Sequence, residues 1–227
     1  MLYNFNIDQN GEYEILKYML SGNTITNTVD RANQYGIPAE IAKNDQKLKD
    51  YLNNKYIEFE KELEQSLAYH KQFWDEKRCD EYKQKFESIL GHEMPEYNVR
   101  LNCQVGGISN WSGTDISIDA FRYLYPFKSG HMVMLIIWES MLSQTFMDVR
   151  KKWSSKEIND KNVWGLSELT AVAGIYQTDF YPQADWIIGY PELAPFHNTI
   201  KKLYAERKSF ADYLEKAVKF FQENPIG

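Results

Sequence analysis

The segment HMVMLIIWESMLSQTFMDV, His131 to Val149, constrains this chain more than any other. It is apolar almost all round, and a helix of that kind is buried on most of its sides. A membrane span needs about 18 to 20 uninterrupted apolar residues. Here Glu139 stands in the middle, with Ser143 and Gln144 close behind. The segment therefore reads as the central helix of a globular core and not as a membrane helix. A carboxylate in such a helix is costly unless it is hydrogen-bonded, paired, protonated or bound to a metal. Glu139 therefore has to be answered by something else in the fold.

The neighbouring segments show what this helix packs with. After Pro95, residues Tyr97, Val99, Leu101, Cys103 and Val105 alternate with polar residues at a period of two, the pattern of a half-buried strand, before Gly106-Gly107 turns the chain. Residues 108 to 118 predict a second strand. Upstream, residues 11 to 90 read as helices: Tyr13, Leu16, Met19 and Leu20 form one apolar face that stops at Gly22-Asn23. Beyond Pro38, a long charged stretch carries Ile41, Leu48, Leu52, Tyr56, Phe59, Leu63 and Leu67 at helical spacing. A further helix runs through Phe73, Tyr82, Phe86 and Leu90. Downstream, a helix is predicted over 163–178, with Ser167 beside Glu168. Asp179 to Pro195 reads as loop, and a last helix runs from His197 to Gln222. The fold class expected is α+β, mainly helical with a small sheet. It forms a single domain over 1–227, with a helical part over 1–95, a core over 96–180, and a loop and final helix over 181–227.

Composition sets the outer limits. The 227 residues carry 26 Lys and Arg against 32 Asp and Glu, a net charge of −6, and the excess of acid lies in residues 1 to 95. That balance argues against a nucleic-acid backbone or an anionic membrane as partner, since both need a basic face. The start of the chain has no basic run followed by an apolar core, so no secretory signal is expected. Two cysteines, Cys79 and Cys103, make neither a disulfide framework nor a four-ligand zinc site, and together these features predict a cytoplasmic protein. No GxSxG elbow, GxGxxG or phosphate loop is present, and no cofactor is expected. Of the histidines, His92 opens HEMPE, where Pro95 breaks the helix that i, i+4 ligation requires. His70 and His197 stand alone, and His131 reads as a helix-start residue.

Strands followed by an apolar helix with a central Glu, then a helix with Ser-Glu after a Trp, resemble zincin-type metallopeptidases of the gluzincin kind. Their motif is HExxH with a downstream Glu as third ligand. Two imidazoles one turn apart hold Zn²⁺, and the Glu between them acts as general base toward the bound water. In this chain WESML, Trp138 to Leu142, aligns with the motif through Glu139, and WGLSEL, Trp164 to Leu169, supplies Glu168 at the third-ligand position. Trp138 and Leu142 occupy both histidine positions. The resemblance therefore implies a remnant site at Glu139, Glu168, Trp138 and Leu142, without metal or catalysis, in a zincin-like protein that acts by binding a protein or peptide. Its rivals are a metal-dependent hydrolase with non-standard ligands, such as His131 with the two acids, and a structural or assembly protein without a site.

Overall fold

The computed structural model describes residues 2–21, 32, 36–103, 110–121, 131–177 and 190–227. The described residues are mainly helical, with one mixed four-stranded sheet, which is the α+β class expected. The strands are β1 (Tyr3–Asn6), β2 (Tyr97–Asn102), β3 (Asn110–Ser112) and β4 (Asp115–Asp119), in the spatial order β1-β2-β4-β3. β1, β2 and β4 are parallel, and β3 turns back antiparallel on β4 through Gly113, whose positive φ of 58° suits a residue without a Cβ. The second strand predicted over 108–118 is thus a hairpin of two, and β1 enters the sheet without having been expected. Four residues, YNFN, are too short to declare a period. Val105 and the Gly106-Gly107 turn lie outside the described residues.

In-register pairing gives the sheet two unlike faces. Tyr3, Phe5, Tyr97, Val99, Leu101, Ile116 and Ile118 project to one side and are all buried in the main core. Asn4, Asn98, Arg100, Asn102, Ser117 and Asp119 project to the other.

The helices are α1 (Gln9–Leu20), the short α2 (Ala39–Ala42), α3 (Asp45–Glu58), α4 (Glu60–Phe73), α5 (Glu76–Leu90), α6 (His131–Lys152), α7 (Asp160–Gln177), α8 (His197–Ala205) and α9 (Phe210–Glu223), with a 3₁₀ turn at Pro191–Phe196 before α8. The long charged stretch after Pro38 is three helices and not one. Asn44 caps α3 by accepting from the Lys47 amide, and the backbone leaves helical geometry at Phe59. The break has a packing reason. Leu48 and Leu52 of α3 belong to a small second core with Tyr13, Leu16, Leu20 and Ile37, whereas Leu63 of α4 belongs to the main core, so one straight helix could not serve both.

The final helix also divides. The Ser209 side chain accepts from the Asp212 amide while Asp212 accepts from the Lys208 amide, a reciprocal cap that starts α9 afresh. Of the predicted loop, 178–189 lies outside the described residues, and Pro191–Phe196 is the 3₁₀ turn.

α6 lies against the apolar face of the sheet and packs on α7 more extensively than any other two elements meet. Every residue from Leu135 to Thr145 is buried, as is every residue from Gly165 to Gly174. The polar residues of α6 have specific partners. Tyr3 and Ser140 hydroxyls meet at 3.0 Å, and the Tyr97 hydroxyl donates to the Ser140 carbonyl and to Gln144 Oε1, both at 3.3 Å. No helix among the described residues is long and apolar enough to cross a membrane.

Candidate functional site

The four residues singled out by the sequence all lie in the buried stretches of α6 and α7: Trp138 is 8% exposed, Glu139 4%, Leu142 2% and Glu168 5%. Trp138 and Leu142 stand one turn apart on α6 and share a face. The Trp138 indole Nε1–H donates to Glu168 Oε2 at 3.1 Å, a bond between residues 30 positions apart. The Trp164 indole, one turn before Glu168 on α7, acts on its carboxyl in the same direction as that of Trp138. These two indoles favour the charged form, but burial outweighs them and pushes the Glu168 carboxyl up to about 7. A carboxyl there exchanges its proton near neutrality, whereas an ordinary glutamate has lost it by pH 5 or so.

Tyr190 closes the group on the solvent side. It is 42% exposed, and its ring meets Trp164 edge to face at 4.8 Å. Its hydroxyl is held up at about 12, first by partial burial and then by the negative charges of Glu168 and Glu139. One phenol therefore lies within electrostatic reach of both acids. The Tyr and Trp residues between 164 and 190 suit core and loop packing better than the lining of a groove; Trp164 and Tyr190 stand together, and those between 178 and 189 lie outside the described residues.

This donor set does not suit zinc. An indole and a leucine cannot ligate, and among the described residues no three His, Cys, Asp or Glu side chains stand together as a metal-holding group. What the arrangement can do is hold one proton on a buried carboxyl and keep two helices in register through an indole–carboxyl bond.

The histidines have structural settings. His92 Nε2 bonds Asp148 Oδ2 at 2.7 Å and its Nδ1 lies 3.0 Å from the Glu93 carbonyl oxygen, so it ties the end of α5 to α6. His70 on α4 is 1% exposed, stacks on Phe5 at 5.0 Å and is lowered by burial to about 4. His197 begins α8 and is lowered by partial burial and by Lys201. His131 begins α6 as expected, and its side chain is outside the described residues.

Another buried carboxylate was missed. Glu12 on α1 is fully buried, and its Oε2 accepts from the Tyr56 hydroxyl at 2.6 Å and from the Cys103 amide at 2.7 Å. The signal was present in the sequence. Glu12 lies four residues before Leu16, on the face that buries Leu16 and Leu20, so an acid in that phase has to enter the core. Its charge, with that of Asp119, adds to the effect of burial and lifts the Cys103 thiol to about 12, which makes that cysteine a poor nucleophile.

Compared with known proteins, the chain matches no family model, no curated protein and no solved structure.

Proposed function

We propose that the chain is a zincin-like protein without its metal, which acts by holding a protein or peptide partner along the edge of its sheet. The Trp138–Glu168 hydrogen bond carries this reading. In the zincin alignment these are the first-histidine and third-ligand positions, two residues that a zinc ion would join. Here an indole N–H spans the same interval and fills the space with an apolar ring. The order of elements is consistent with it: a mixed sheet ending in an antiparallel edge strand, then α6 and α7 packed on one another.

The edge strand also fits. β3 lies over α6, with Trp111 against Phe146 at 5.0 Å and the Ser143 hydroxyl donating to the Gly113 carbonyl. β3 is last in the strand order, and Ser112 is exposed. An extended segment added there would run beside α6 and gain main-chain hydrogen bonds, the usual mode of strand addition.

Rebuilding the motif tests the descent. Trp138→His with Leu142→His restores two imidazoles one turn apart around Glu139, with Glu168 as third ligand. The double variant should bind one equivalent of zinc and melt at a higher temperature with zinc than without it, and Glu168→Ala should abolish that response. A folded double variant indifferent to zinc removes the zincin reading, and one equivalent of tightly held metal in the unaltered protein replaces it with a metal-dependent hydrolase. Photocrosslinking from Ser112 tests the binding mode. Capture equal to that from Tyr18, exposed on α1, would exclude the sheet edge.

A further inference from the structure

The polar face of the sheet ends in a buried carboxamide whose needs the described protein does not meet. Asn102 closes β2 and is fully buried, yet among the described residues neither its Oδ1 nor its Nδ2 has a hydrogen-bond partner. Its backbone is pinned on both sides. The Asn102 carbonyl accepts from the Ala120 amide at 2.9 Å, and the next amide, that of Cys103, donates to Glu12. The backbone at Asn102 is thus fixed, and an amide buried with both ends open carries a desolvation cost that most buried polar groups offset with a partner.

Its surroundings define what would compensate it. Asp119 is the register partner of Asn102 on β4, so both side chains leave the sheet on the same side. Asp119 Oδ1 accepts from the Phe121 amide at 2.8 Å. α1 covers that side: Arg100 Nε donates to Asp8 Oδ2 at 3.2 Å, and Gly11 approaches so closely that a Cβ there would come within 2.4 Å of the Arg100 guanidinium. Glu12 reaches the Cys103 amide from the same helix. Carboxylates therefore lie on the side of the sheet to which Asn102 points, and these accept but do not donate.

We propose that two hydroxyl oxygens are bound here. One accepts from Asn102 Nδ2 and donates to a neighbouring carboxylate, and the other donates to Asn102 Oδ1. A metal ion would serve the carbonyl oxygen and leave the amide N–H₂ open, so it does not fit. Two ordered waters and a vicinal diol share the required chemistry, and the full burial of Asn102 favours waters, which commonly bridge buried polar groups.

A crystal structure at high resolution, grown once without and once with glycerol, distinguishes these sources. Two separate ordered oxygens at hydrogen-bonding distance from Nδ2 and Oδ1 in both crystals support waters, and continuous glycerol density in the second alone supports the diol. Density for a cation, or none beside the carboxamide, overturns the proposal. Thermal unfolding of Asn102→Leu gives an independent reading. If hydroxyls satisfy the amide, the substitution should lower the melting temperature by several degrees. A melting temperature equal to or above that of the parent would mean that the amide was an uncompensated polar group and that nothing is bound.

Discussion

Glu12 and Glu168 are buried to nearly the same degree, in two regions that handle a buried acid differently. Glu12 sits where α1 and α3 meet the end of β2, and both of its described hydrogen bonds come from groups that favour a carboxylate, a phenol and a backbone amide at 2.6 and 2.7 Å. Glu168 sits between two apolar helices, where the described donor is the Trp138 indole and its bond is longer, at 3.1 Å. Burial dominates there, and the proton stays on to about 7. The difference is one of the kind and closeness of the donors, not of depth. One acid is a clamp that ties the small second core to the sheet, and the other is a titratable group inside the main core.

The sharpest way to break this comparison is to remove the clamp. Glu12→Ala leaves the Tyr56 hydroxyl and the Cys103 amide without their acceptor, and should cost about 2 to 5 kcal/mol in urea unfolding at pH 7. That corresponds to a fall in melting temperature of roughly 5 to 20 °C for a chain of this size. A loss below about 1 kcal/mol would mean that water serves both donors and that Glu12 ties nothing.

The second prediction concerns pH. The folded-state pKa of Glu168, about 7, lies above its ordinary value of 4.5. The folded protein therefore binds more protons than the unfolded chain between those values, and the contribution of this group to stability falls as pH rises from 4.5 to 7. Glu168→Gln keeps the shape and removes the titration. It should match the parent near pH 4.5 and exceed it at pH 8 by on the order of 3 kcal/mol. Parallel stability profiles of parent and variant between pH 4.5 and 8 would show that Glu168 is ionised throughout and is a second clamp.

His70 gives the smallest effect at pH 7, and its pH dependence has the opposite sign. Its imidazole is lowered from 6.5 to about 4, so the unfolded chain binds the extra proton between those values and stability falls as pH drops below 6.5. His70→Phe should preserve the stacking on Phe5, change stability at pH 7 by less than about 1 kcal/mol, and remove that acid-side loss. The Glu168 and His70 slopes oppose one another between about pH 4.5 and 6.5. The parent should therefore look flatter there than either variant, and a parent with a steep profile in that window would overturn the pairing.

Much of this arrangement was legible because it rests on local chemistry. The continuous apolar character of α6 announced a helix buried on most sides, the period-two run from Tyr97 announced β2, and an acid amid Leu, Ile and Trp announced that Glu139 and its neighbourhood needed explanation. Glu12 could have been found by asking which helical face each acid occupies. The divisions at Phe59 and Ser209 were harder, since apolar spacing continues across both. Only the presence of two separate cores in the first case, and the Ser209–Asp212 cap in the second, shows why the helix stops.

The sequence by itself determined the class of elements, the burial of α6 and the identity of the acids placed within it, because hydrophobic period and side-chain chemistry are properties of a single segment. Only the tertiary structure decided which groups meet. The parallel docking of β1 on β2, the indole of Trp138 reaching Glu168 across 30 residues, and the Cys103 amide reaching Glu12 across 91 depend on how distant segments pack. The titration of an acid follows from those contacts. Its desolvation and its donors come from chain remote in sequence, so two glutamates of equal burial differ in the work they do.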